Sequence, residues 1–230
     1  MPLTPYLLAA SVSVLAGLDR TAAFQFMISR PIVAAPLTGW LLGSPLVGLQ
    51  VGAMVELLWL GRLPIGAAIP PDDTQVAVGA TALAIGMGEF LGLGGMALTL
   101  LAVLVALPIG KMGSYFERFA RQRNGRLLQQ AEAAVAEGRL EAIDRLHLQG
   151  LIHFSLASLA TYGVILLVGS LVLYLAGPLL IEPVGEAAGW LRLIFVLVGT
   201  GVILGTVNVS RAMTLFAASF TTAFLLLWLR

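Results

Sequence analysis

The sequence predicts an all-α polytopic membrane protein, about six to nine membrane segments in one integral domain spanning residues 1–230, with re-entrant or broken helices among them. Three observations carry this. The composition is 59% hydrophobic and only 11% charged, against about 25% charged in soluble domains. The mean hydropathy is +0.96. Six stretches carry no Asp, Glu, Lys or Arg: Met1–Leu18, Pro31–Val55, Phe90–Gly110, Leu146–Ile181, Leu193–Ser210 and Ala212–Leu229. A spanning helix needs about 20 mostly apolar residues, so six such stretches set the lower bound. A soluble surface could not be built from so little charge, and membrane lipid is the natural solvent.

The elements follow in order. Residues 1–30 give one span and a polar turn, "LDRTAAFQFMISRP". No Lys or Arg precedes the first apolar run, which speaks against a cleaved signal peptide. Residues 31–61 are apolar and glycine-rich, a composition that lets helices approach closely in lipid. Pro36 and Pro45 predict kinks or short helices there rather than one clean span. Residues 62–75, "RLPIGAAIPPDDTQ", break any helix. Backbone freed in this way survives at membrane depth only when buried in protein or lining a watered cavity. Transporters place broken helices at such sites. Residues 76–110 return to apolar spans around Glu89, closing an N-terminal half of residues 1–110. Residues 111–147 are the water-facing segment, and residues 148–230 form a C-terminal half of two or three further spans ending on the interfacial anchors Trp228 and Arg230.

The segment Lys111–His147 holds seven of the thirteen Lys and Arg residues, which places it in the cytoplasm by the positive-inside rule. Its second half has helical periodicity and an i,i+4 pair, Glu141–Arg145. It reads either as a solvated helical hairpin near the membrane surface or as a docking surface for a cytoplasmic partner.

Several chemistries find no support. The chain has no cysteine, which removes disulfides, thiolate catalysis and Cys-based metal sites. A net charge of +1 gives no argument for nucleic acid. "GMGEFLGLGG" lacks the strand–turn–helix context of a dinucleotide site, and "IGKM" lacks the rest of a phosphate-binding loop. His147 and His153, six apart, fall on different helical faces, so no metal is expected. No nucleophile with its base stands out, so neither an enzyme site nor a cofactor is expected.

One polar constellation remains in the apolar first half: Gln25, Glu56 and the pair Asp72–Asp73. A carboxylate at membrane depth costs about 2.5–3.5 kcal/mol on insertion scales and is a functional candidate by default. Glu56 is either a ligand contact or half of an ion pair with Arg30 or Arg62. Asp72 and Thr74 offer hydroxyl-binding groups. "IGAAI" bares backbone, and Trp59 or Trp40 could supply an apolar face. Clustered acceptors beside an aromatic suit a neutral polyol such as a sugar.

The run Phe24–Thr74 resembles the membrane IIC subunit of the mannose/fructose/sorbose-family phosphotransferase system. The residues carrying the resemblance are Gln25, Arg30-Pro31, Gly39, Gly43, Gly48, Gly52, Glu56-Leu57, Leu60-Gly61, Ile65–Ala68 and Pro70–Asp72, with "AEGRLEAIDRLH" in the later loop. The resemblance implies a sugar-translocating permease subunit, not itself an enzyme, in the inner membrane of a bacterium. It implies a hexose substrate, a IID membrane partner, cytoplasmic IIA and IIB proteins that carry the phosphoryl groups, and a trimer of IIC–IID pairs. Its sugar contacts map onto Gln25, Glu56, Gly66, Ala67, Ala68, Asp72 and Thr74. The chain departs from the family at Pro64, Ser44 and Ser29, where a polar residue, an acid and a histidine are usual. Those departures would retune the sugar, or leave a non-transporting module that anchors or regulates cytoplasmic phosphotransferase proteins.

Overall fold

The structure, a computed structural model, describes residues 4–61, 69–206 and 211–229. Eight α-helices and no strand make up its regular structure among those residues: α1 Thr4–Thr21, α2 Pro31–Leu41, α3 Pro45–Trp59, α4 Asp73–Leu91, α5 Gly95–Ile109, α6 Lys111–Ala136, α7 Glu141–Thr206 and α8 Ala212–Trp228. Two of them, α4 and α7, are long and apolar enough to cross a membrane, or three spans if the pair α5–α6, bent by 42°, counts as one.

The α2–α3 region fulfils the expectation of short helices. Pro31 and Pro45 each stand in the first turn, where a missing N–H costs nothing and the fixed φ favours helix. Gly43, at φ 76°, makes the turn between them. The helices pack back to back through glycine: Gly52 lies against Pro31 and Ile32, and Gly48 against Ala35 and Pro36. Arms of 11 and 15 residues reach about 16 and 22 Å, short of a ~30 Å hydrocarbon core. The pair is a hairpin of two apolar helices, each shorter than a span.

Helix α4 is the axis of the bundle. Thr74 through Ala84 are all buried. Its apolar residues join those of α3, α5 and α7 in the main core, while Val78 and Ala82 join Ala9, Val12, Ala34 and Tyr162 in a second cluster. Asp72 caps its start by accepting from the Gln75 N–H at 3.0 Å. Gly92, left-handed at φ 64°, ends it, as a cap without a Cβ readily does.

Helix α7 differs from the sequence expectation. Its two apolar stretches belong to one helical element of 66 residues, about 99 Å along its path. Packing nevertheless divides it into two arms. Thr161 lies with Asp72 at the head of α4, Gly169 meets Leu83, and Gly177 meets Leu91 at the foot. Gly185 then meets Ala97, Gly199 meets Leu57, and Val202 lies beside Gly61, back at the level where it began. The reversal falls around Pro178 and Pro183, whose missing N–H groups weaken the ladder there. The charge-free stretches Leu146–Ile181 and Leu193–Ser210 thus fall on different arms of α7.

The segment 111–147 is a helical hairpin of α6 and the start of α7. Gly138, at φ 73°, turns the chain, and Asn124 ties the arms by donating to the Gly150 carbonyl at 3.2 Å. Helix α8 packs on the second arm of α7, with Trp190 and Phe224 ring centroids 5.7 Å apart. Its other face is exposed and apolar.

Candidate functional site

A cavity of about 240 Å³ lies at the head of α4. Three chain segments converge there. The end of α1 and the following turn contribute Asp19, Arg20, Gln25, Met27, Ser29 and Arg30. The end of α3 contributes Trp59. The broken stretch and the first turn of α4 contribute Pro70, Pro71, Asp73 and Thr74. Polar and charged groups therefore meet a proline-lined wall and one indole at a point where the bundle's helices end.

The turn carrying Gln25 is held by Asp19. This carboxylate is 2% exposed and accepts from two backbone N–H groups, Phe26 at 2.6 Å and Ser29 at 2.9 Å. Such bonds to an ionised acceptor are roughly twice as strong as neutral ones. The turn needs this support. Phe24, Gln25 and Met27 have φ of 68°, 54° and 64°, a region that costs a non-glycine residue about 1–3 kcal/mol. The Thr74 hydroxyl donates to the Ser29 carbonyl at 2.7 Å, locking the turn to α4.

The predicted acids are placed unequally. Asp73 lines the cavity. Asp72, 7% exposed, turns away from it as the cap of α4 and the partner of Arg20. Arg20 Nη1 stands 2.6 Å from Asp72 Oδ1, a buried ion pair. Arg20 Nη2 donates to the Pro71 carbonyl at 3.4 Å and lies 3.9 Å from Asp73. Arg20 thus braces the broken stretch against α1. Glu56 forms an ion pair with Arg30 and accepts from the Ile32 N–H at 3.2 Å. Its carboxylate orients Arg30, which lines the cavity, while Glu56 itself does not.

Gln25 and Thr74 thus lie in the cavity wall, and Glu56 and Asp72 stand one residue behind it. Gly66, Ala67 and Ala68 lie outside the described residues. Asp19 and Arg20 escaped the sequence reading because two charges following an apolar run look like an ordinary helix end. Adjacent and opposite in charge, they look like a local pair, whereas Arg20 pairs with Asp72 and Asp19 accepts from backbone N–H groups. Among the described residues no group of three or more His, Cys, Asp or Glu could hold a metal.

The fold and cavity define a helical membrane protein with a hairpin of short apolar helices and a polar site at the head of a buried central helix. Residues 3–228 match the family described as "PTS system sorbose-specific iic component". The chain belongs to this family, the IIC membrane components of mannose-family phosphotransferase systems. The sorbose-specific EIIC component of Klebsiella pneumoniae is 29% identical over 127 residues, 55% of this chain and 45% of that protein. The mannose-specific EIIC component of Escherichia coli K12 is 28% identical over the same length and shares. The fructose permease IIC component of Bacillus subtilis is 27% identical over 123 residues, 54% of this chain and 43% of that protein. The chain thus matches somewhat under half the length of these relatives. A solved structure described as a membrane protein aligns with 97% of this chain and 87% of its own, at TM-score 0.70 and 24% identity. A chain of the mannose transporter ManYZ in complex with microcin E492 aligns over the same shares, at TM-score 0.60 and 23% identity. These two likenesses concern the fold.

Proposed function

We propose that the chain is the sugar-conducting IIC subunit of a mannose-family phosphotransferase system, and that the cavity at the head of α4 receives the hexose during import. The observation that carries this is the convergence of Gln25, Asp73, Thr74, Arg30 and Trp59 on one cavity beside broken backbone. Amide, carboxylate and guanidinium groups bond hydroxyls in fixed directions, and an indole offers the apolar face of a sugar ring a surface. Broken helices beside a polar site are the arrangement by which transporters expose backbone to a ligand.

In this reading Gln25, Asp73 and Thr74 contact hydroxyls, joined by the backbone of Gly66, Ala67 and Ala68. Glu56 and Asp72 act through the arginines they hold. The protein sits in the bacterial inner membrane with the hairpin 111–147 in the cytoplasm. A IID subunit completes the membrane unit in a trimer of IIC–IID pairs, and IIA and IIB phosphorylate the sugar as it enters. One observation favours the rival reading, a non-transporting anchor or regulator: two of the expected sugar-binding acids, Glu56 and Asp72, are already neutralised within the protein.

Sugar uptake separates the two. Co-expressed with IID and IIAB partners in cells lacking their own mannose-family uptake, the chain should support phosphorylating entry of a hexose. Asp73→Asn and Gln25→Ala should cut that entry at least tenfold while the assembled complex is still recovered. A well-assembled complex that takes up no hexose would establish the regulatory reading.

A further inference from the structure

A second cavity, about 390 Å³, lies between α6 and the first arm of α7. Its walls are apolar: Phe116 and Phe119 from α6, and Leu156 and Ala160 from α7. Arg123 and His153 stand at its outer end. His153 Nδ1 is engaged by Asn124 Oδ1 at 2.6 Å, while the Arg123 guanidinium is the group at the cavity that carries a fixed positive charge. Arg123 lies over the Phe119 ring, 4.9 Å from its centroid, so the guanidinium is held at the mouth of the groove.

The surroundings define the occupant. On α7, Leu148, Ile152 and Leu156 recur every four residues and are 58%, 55% and 57% exposed. This exposed apolar stripe continues along α7 towards its long apolar stretch. On α6 beside it, Arg118, Arg123 and Arg126 are all exposed. The nearest acid, Glu117, is buried and takes two hydrogen bonds from Arg121 at 2.9 and 2.7 Å. Positive charge is thus unmatched where an apolar groove adjoins an exposed apolar stripe. Basic pockets between helices at the membrane boundary suit acidic head groups. A soluble acidic protein would match the arginines and leave the apolar stripe in water.

We propose that this groove holds one anionic phospholipid, its acyl chain between Phe116, Phe119, Leu156 and Ala160 and its phosphate at Arg123. The site is independent of what the central cavity transports.

The test is native mass spectrometry of the purified full chain in detergent, offered phosphatidylglycerol and phosphatidylcholine of identical acyl chains in equal amounts. The unmodified chain should retain phosphatidylglycerol preferentially. Arg123→Glu should lower its retention at least about fivefold, the effect of one basic group near an anionic surface. Arg123→Lys should keep most of it. Ala160→Trp, which fills the groove without touching charge, should lower it too. Arg139→Glu, at the hairpin tip, is the control and should change nothing. Melting temperatures in lipid-free detergent identify any variant that has lost its fold; Arg123→Gln then replaces Arg123→Glu, with a smaller loss expected. Equal retention of the two lipids, or loss no greater for the Arg123 and Ala160 variants than for Arg139→Glu, would overturn the proposal.

Discussion

Asp19 is the residue on which the cavity's geometry depends most. Its two backbone hydrogen bonds offset the left-handed conformations of Phe24, Gln25 and Met27. Replacing it by alanine leaves two N–H groups without their acceptor and releases that strain. The expected cost is about 3–6 kcal/mol for two bonds to a charged group. Asp19→Ala should therefore melt at a lower temperature in detergent and lose Gln25-dependent uptake, although Asp19 is 2% exposed and need not reach the sugar. Unchanged uptake would show that the turn holds its shape by other means. At this scale the sequence was a partial guide. Gln25 and Thr74 stood out because polar groups in an apolar run demand a reason. The choice between Asp72 and Asp73 was not legible, because it depends on which carboxylate caps α4. The role of Glu56 was readable only as two alternatives, and the Arg30 pair is the one the structure shows. Arg20 was invisible because its partner lies 52 residues away, across the broken stretch.

Among the elements, the α2–α3 hairpin was the most legible. Pro36 and Pro45 in a glycine-rich run pointed to kinks or short helices; Pro45 does open α3, whereas Pro36 stands inside α2 and Pro31 opens it. What periodicity could not give was their depth against α4, which follows from glycine-to-backbone contact. The Gly48 Cα faces the Ala35 carbonyl so closely that any Cβ would overlap it. Gly48→Leu should force α2 and α3 apart. Overpacking costs about 1–3 kcal/mol where side chains can adjust, and backbone cannot, so the upper end is expected. Because Arg30 and Trp59 sit at the two ends of this hairpin, the variant should also lose sugar uptake. Measured by thermal stability in detergent, no destabilisation would contradict the close packing. The long helix α7 was the least legible element. The charge-free stretches Leu146–Ile181 and Leu193–Ser210 counted as separate spans in the sequence. The chain instead keeps its helical hydrogen bonding through the turn, a choice set by tertiary packing against α4 and α5 and not by local composition.

For the whole molecule, composition alone settled that lipid is the solvent, and the residues exposed on the outer helices agree: Leu167 and Leu179 are each 76% exposed. The grouping of segments around α4 was not legible, because uniform hydrophobicity leaves no stripe to say which helix is central. Burial of Gln75, bonded to Ser13 in both directions, marks α4 as the axis only once the fold is known. In the proposed function, the sugar binds in the cavity at the head of this axis. The absence of cysteine from the chain permits a direct measurement. Single cysteines placed at Met27 and Ser29, which line the cavity without a proposed side-chain contact to the sugar, and, as a remote reference, at Arg139 should each be labelled by a small water-soluble thiol reagent in the assembled membrane complex. The hexose that supports uptake should slow labelling at positions 27 and 29 at least severalfold and leave position 139 unchanged. Labelling at positions 27 and 29 that the hexose leaves as fast as before would show that the sugar does not bind there.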